Sequence, residues 1–191
     1  SELSKTDKDF YLKSQTIAKK LNEQDDYYIK KWENIYEIST KSIRRILHKL
    51  NFHFDIYKGE SDVATIIPEL VENLKSKNLI KIDQNAYVAT NNQDPPSIIV
   101  KSDGSYVYLT TDLATVIDRE KDYKVDEYIY VVDQRQKNHF EQLFDLVKYF
   151  SLSVKKFTHV GFGTINNMDG KALKTRDGGS YKLEDLYADI N

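Results

Sequence analysis

The chain contains no cysteine, which excludes disulfides, thiolate metal sites and cysteine nucleophiles together and suits a reducing, cytoplasmic setting. Only three prolines and seven glycines occur in 191 residues, and all the glycines except Gly59 lie in the second half, so the loops that do chemistry are expected there. No apolar run approaches the ~20 residues of a membrane span, and the polar start SELSKTDKDF lacks the apolar stretch of a signal peptide. An excess of either charge is also missing. Against 28 basic side chains stand 30 acidic ones, a net charge of -2, so no global positive field advertises nucleic acid and any RNA contact must be local. Neither GxxxxGK[ST] nor GxGxxG occurs, which removes the standard phosphate-binding loops. No dedicated metal cage is expected.

What is present is a soluble-domain composition, 40% hydrophobic, enough for one large domain or two small ones. Residues 7–50 are free of glycine and proline, and Ile35, Ile38, Ile43, Ile46, Leu47 and Leu50 keep a helical rhythm, which predicts two helices. Lys41, Arg44, Arg45, His48 and Lys49 flank the second; they could touch phosphate, but a solvated face is the preferred reading. Residues 52–57 alternate as a strand would, a Gly59-Glu60-Ser61 turn follows, and Pro68 opens a helix that stops near Asn78. Residues 79–82 and 86–89 read as a hairpin. The polar run 90–96, containing NNQDPP, is the best internal boundary.

Beyond it, residues 97–101 and 106–109 read as short strands around an Asp103-Gly104 turn, and Thr110 or Thr111 can cap a helix reaching about Lys121. Residues 128–132 form an unbroken apolar run of the buried parallel type, followed by a helix over 140–150 and a strand over 157–161. Strand, helix, strand, helix, strand is a doubly wound α/β pattern, whereas the first half is mainly helical.

Three polar clusters carry the chemistry. Tyr108 is expected to end a strand and Asp112 to begin the next helix, so both can face the crevice at the sheet's carboxyl edge. A carboxylate beside a phenol suits a cation, and the planar fork of a guanidinium could be matched by Asp112, Tyr108 and Gln136. The alternative is that Asp112 complements the helix dipole while Tyr108 packs. Asp133-Gln134-Arg135-Gln136 and His139 come directly after IYVV, at the mouth of the same crevice, although Asp133 and His139 are also natural caps. The loop 167–179 offers Lys171, Lys174 and Arg176 among glycines, which suits a polyphosphate, and an exposed hairpin with solvated cations is the alternative. His159-Val160-Gly161-Phe162 imitates an H-x-G-H nucleotide element, but its fourth residue is wrong and it follows the crevice strands.

FDIYKGES at 54–61, KSDGSYVYLTTDLAT at 101–115, IYVVDQRQKNHF at 129–140 and DGKALKTRDGGSYKLEDL at 169–186 resemble, in order and approximate spacing, the arginyl branch of the class I aminoacyl-tRNA synthetases. Those enzymes activate arginine with ATP and pass it to tRNA. The resemblance implies an α/β fold, with a helical and α+β connecting insertion over 1–96 and the second half of a Rossmann-like catalytic domain over 97–191. It implies that Tyr108, Asp112 and Gln136 bind arginine, that His139 lies beside ATP, and that Lys171, Lys174 and Arg176 act on ATP's phosphates where the family carries K-M-S-K. ATP with Mg2+ and tRNA(Arg) are the implied partners of a full-length, monomeric enzyme without membrane attachment. The family's H-x-G-H element and anticodon-binding domain have no counterpart here. The chain is therefore expected to be a central piece, inactive by itself and open to self-association along an apolar sheet. The competing expectation is a stand-alone paralogue that binds arginine or an RNA end without catalysis.

Overall fold

The computed structural model describes residues 6–22, 25–164 and 166, and it divides into two compact units. In the first, Ser1–Ile56 with Asn166–Asn191, two helices follow one another as the periodicity predicts: α1 (Lys8–Asn22) and α2 (Asp26–Lys49). Asp7 satisfies the start of α1 by accepting from the Asp9 and Phe10 amides. Asp25 caps α2 by accepting from the Tyr27 amide at 3.1 Å, and Lys20 reaches it at 3.2 Å from the end of α1. Asn51 takes the left-handed conformation (φ 57°) that closes α2, while Phe52 donates back to the Leu47 carbonyl. The apolar rhythm of α2 is real, but Ile35 and Ile38 are each 63% exposed, whereas Ile46, Leu47 and Leu50 at its end are partly buried. The Lys41 to Lys49 cations are exposed as well.

The expectation of a strand over 52–57 does not hold. The alternation of FHFDIY is present, yet side chains of both parities are exposed, and a strand needs a neighbour to pair with, which no alternation supplies.

The second unit, Tyr57–Ile165, opens on a 3-10 turn, Glu60–Val63, in which the Asp62 carboxylate accepts from the Gly59 amide at 2.6 Å. Helix α3 (Ile66–Ser76) starts two residues before Pro68, a position the first turn tolerates because its amides have no helical acceptors. It buries Ile67, Leu70, Val71 and Leu74, the i, i+3, i+4 face. The predicted hairpin is β1 (Ile80–Asp83) and β2 (Ala86–Ala89), joined through Gln84 and Asn85, both at positive φ as a two-residue turn requires.

β3 (Ile98–Val100) pairs antiparallel with β2, so a three-stranded sheet in the order β1-β2-β3 runs across the 90–96 boundary inside one unit. This changes the doubly wound expectation: β3 completes the hairpin sheet and does not join the later strands. Helix α4 (Tyr108–Asp122) leads out of it to β4 (Glu127–Asp133), a 3-10 turn (Gln134–Gln136), α5 (Lys137–Tyr149) and β5 (Lys156–Phe162). β4 and β5 are parallel, in register from Glu127 with Lys156 to Asp133 with Phe162, so one βαβ crossover is formed. Leu109, Leu113, Ala114 and Val116 of α4 meet Leu143, Leu146 and Val147 of α5 in the core, with Ile99 of β3.

The inner face of the β4–β5 pair is covered, Tyr128 and Tyr130 packing among Phe140, Phe144 and Phe157. Its outer face is not. Ile129 is 59% and Val131 63% exposed, beside exposed Val160 and Phe162, so the run 128–132 is buried on one side only, contrary to the expectation for a parallel strand.

Candidate functional site

The chain leaves β3 through a tight turn in which Gly104 (φ 81°) supplies the left-handed residue and Asp103 accepts from the Ser105 amide and hydroxyl. Those two hydrogen bonds hold the Asp103 carboxyl below its ordinary value. Tyr106 makes a single bridge back to Val100, and Val107 is still extended (φ -98°, ψ 161°). Tyr108 is then the first residue of α4, not the last of a strand. Neither threonine caps the helix as expected: Thr110 is fully buried and donates to the Ile99 carbonyl at 2.6 Å, pinning α4 to β3. The consequence for the site is favourable. Tyr108 and Asp112 lie four residues apart on one helix and so share a face.

Across from that face, the βαβ unit delivers the second cluster. Asp133 ends β4 and is committed to its own turn, accepting from the Arg135 amide at 2.7 Å, Nε at 2.9 Å and Nη2 at 2.6 Å. The Arg135 guanidinium brings the Asp133 carboxyl down to about 2, so the capping reading of Asp133 is the one the contacts support. Gln136 closes the 3-10 turn, exposed at the head of α5. His139 sits in the first turn of α5, and its Nε2 lies 2.6 Å from Asp112 Oδ2, both side chains about a third exposed.

Asp112 and His139 are thus in contact across two helices, and Tyr108 shares the helix face of Asp112. Among the described residues no hydrogen bond joins Gln136 to Asp112. Lys171, Lys174 and Arg176 lie outside the described residues. Burial raises the Tyr130 phenol, with Arg119 opposing and Asp112 adding to the rise.

Two features escaped the sequence reading. A cleft of about 390 Å³ beside Tyr108 is lined also by Glu60, Lys101, Tyr106, Val107 and Thr111. Lys58 holds the segment carrying Glu60 against α4, its Nζ 2.5 Å from Asp118 Oδ2 and 2.9 Å from Asp122 Oδ2. Those carboxylates raise the Lys58 ammonium above its ordinary value. FDIYKGES was a visible motif, but nothing local to it signals partners sixty residues away. A larger cleft of about 530 Å³, at the C-terminal end of α5 among Phe144, Lys148, Ser153 and Phe157, includes none of the motif residues.

The other feature is Gly161. A Cβ there would stand 1.8 Å from Gln134 Oε1 and 3.2 Å from Gln134 Cα. Gly161→Ala is therefore expected to turn the exposed Gln134 side chain aside and ease its backbone by a few tenths of an ångström, costing at most about 1 kcal/mol in urea unfolding. Gly163→Ala, where nothing lies within 4 Å, serves as the control and should leave the midpoint within error.

Asp112, Tyr108 one turn before it and the exposed Gln136 at the head of α5 offer a carboxylate, a phenol and an amide. Known proteins show the family. The arginine–tRNA ligase of Francisella tularensis subsp. novicida is 41% identical over 165 residues, covering 84% of this chain and 28% of the relative. That of Alkaliphilus oremlandii is 37% identical over 194 residues, covering 97% and 33%. The crystal structure of arginyl-tRNA synthetase from Plasmodium falciparum superposes with a TM-score of 0.71 at 30% identity, covering 82% of this chain and 29% of that one. The chain spans about a third of the length of these relatives. The family model of the class I (R) tRNA synthetase catalytic domain matches residues 2–190, and the chain therefore belongs to the arginyl class I tRNA synthetases, within their catalytic domain.

Proposed function

We propose that the chain supplies one wall of the site in which an arginine–tRNA ligase activates arginine with ATP before passing it to tRNA(Arg). The observation that carries this reading is the half-buried Asp112 carboxylate, braced by His139 at 2.6 Å and preceded one turn earlier by Tyr108. Asp112 holds the guanidinium as its anion, Tyr108 and Gln136 supply neutral acceptors, and His139 stands between this pocket and ATP. Lys171, Lys174 and Arg176 act on the phosphates. In the reaction a carboxylate oxygen of arginine bonds to the α-phosphorus of ATP while the bond to the departing pyrophosphate breaks. Positioning and cationic stabilisation of that leaving group supply most of the rate. Among the described residues no group of three or more His, Asp or Glu side chains fits a metal ion. Mg2+ would arrive with the ATP phosphates and offset part of their charge.

The division at residue 96 is then one of role: 1–96 the connecting insertion, 97–191 the catalytic half. The setting is the cytoplasm. No helix among the described residues is long and apolar enough to cross a membrane.

An NMR titration of the 191-residue chain tests the reading. Arginine is expected to bind at least roughly tenfold more tightly than lysine, because an ammonium cannot use acceptors arranged for a planar fork. Equal affinities would refute it. The chain alone is expected to show no arginine-dependent ATP–pyrophosphate exchange. We also propose that the full-length enzyme is monomeric, whereas this chain self-associates through the apolar outer face of β4 and β5. Sedimentation velocity should show a concentration-dependent shift that Val131→Lys diminishes.

A further inference from the structure

We infer that His139 is a positioning residue whose work is to orient the Asp112 carboxylate for the guanidinium of arginine, an inference that rests on the arginine pocket proposed above. A carboxylate only accepts hydrogen bonds, so at 2.6 Å the proton must sit on His139 Nε2, which donates to Asp112 Oδ2. The two residues come from different helices, 27 positions apart, and each helix is fixed independently. α4 is pinned by the buried Thr110 hydroxyl on Ile99. The first turn of α5 is held by Phe140, buried and stacked on His159 of β5 at 5.7 Å, 7° from parallel. The imidazole in turn meets the edge of Phe140 at 5.2 Å. A braced donor on a braced carboxylate removes the rotamer freedom that Asp112 would otherwise lose on binding.

The contact also decides how the guanidinium is met. With Oδ2 already accepting from the imidazole, Oδ1 is the fully open oxygen, so the symmetrical two-oxygen fork is weakened at Asp112. The remaining guanidinium N–H groups must find other acceptors, a role the proposed pocket gives to Tyr108, one turn before Asp112, and to Gln136, just before α5. Without the imidazole donor the carboxylate would be free to turn toward solvent, and the pocket would lose its discrimination before it lost its charge.

The test is a double-mutant cycle on the 191-residue chain, read by NMR titration with arginine, lysine and, separately, ATP. His139→Ala and His139→Leu are expected to weaken arginine about tenfold and ATP by less, the range seen when a residue orienting a ligand-binding group is removed. His139→Gln, whose amide N–H can reach the same oxygen, should recover most of the loss. In an Asp112→Asn background, His139→Ala should cost nothing further. Unchanged arginine affinity in both His139 variants, a loss confined to ATP, or a His139 effect undiminished in the Asp112→Asn background each overturns the inference while leaving the arginine pocket standing. A wild-type chain that does not prefer arginine to lysine overturns the pocket and this inference with it. The leucine variant keeps the side-chain volume, and a urea midpoint matching the wild type shows that the losses are not unfolding.

Discussion

Asp112→Ala is expected to abolish saturable arginine binding at concentrations that saturate the wild type. Removing the charged partner from a partly desolvated ion pair costs about 3 kcal/mol, on the order of 100-fold in affinity. Asp112→Asn should fall nearly as far, since the amide keeps the shape and loses the charge. Asp112→Glu retains the charge but moves it off the helix face shared with Tyr108, and should lie between. The decisive comparison is with stability. The Asp112–His139 pair is about a third exposed on both sides, and pairs so placed contribute at most about 1 kcal/mol to folding. Binding and unfolding should therefore separate, with a large loss in the NMR titration and a small shift in the urea midpoint. A midpoint that falls in proportion to affinity would assign Asp112 a structural role.

The neighbouring residue should behave in the opposite way. Leu113 is 0% exposed and packs with Leu143 and Leu146 between α4 and α5, so Leu113→Ala removes three carbons from a site whose walls come from separate elements. A loss of about 3–4 kcal/mol is expected, a large part of the ~5–15 kcal/mol that holds an ordinary domain together. Thermal unfolding followed by circular dichroism should show a fall on the order of 15 °C. A shift of only a few degrees would mean that α4 and α5 collapse onto the cavity and that the core is softer than its burial implies. One peptide bond thus separates a position answering to ligand from one answering to temperature, because successive helical residues point about 100° apart.

Features that depend on neighbours in the chain were legible before any coordinates. The helices α1, α2, α3 and α5, the β1–β2 hairpin and the Gly104 turn all follow from periodicity and turn chemistry. Features that depend on what lies opposite were not. Residues 52–57 have a strand's alternation and no strand, β3 joins the sheet behind it instead of the one ahead, and Ile129 and Val131 are apolar yet uncovered. The apolar run records what such a face prefers to touch, not whether a partner is there. Tyr108 and Asp112 were expected together at a strand end and a helix start. They are together because both are helical, four residues apart. The contact between Asp112 and His139, and that of Lys58 with Asp118, join residues 27 and 60 positions apart, and no local pattern encodes them.

Asp118 and Asp122 stand one turn apart on α4, a like-charged pair that would repel across a helix face. The single ammonium of Lys58 sits between them and over the Tyr123 ring at 5.6 Å. Val63 buries the Glu60–Val63 turn in the core, whereas Lys58 just before it is moored to α4 by charge at a partly exposed site. Such a mooring is shielded by dissolved ions over about 8 Å at physiological ionic strength. Of the surfaces around Tyr108, the Glu60 side therefore has one tie, at Lys58, that answers to the surrounding electrolyte, while the Asp112 side is set by the packing of two helices.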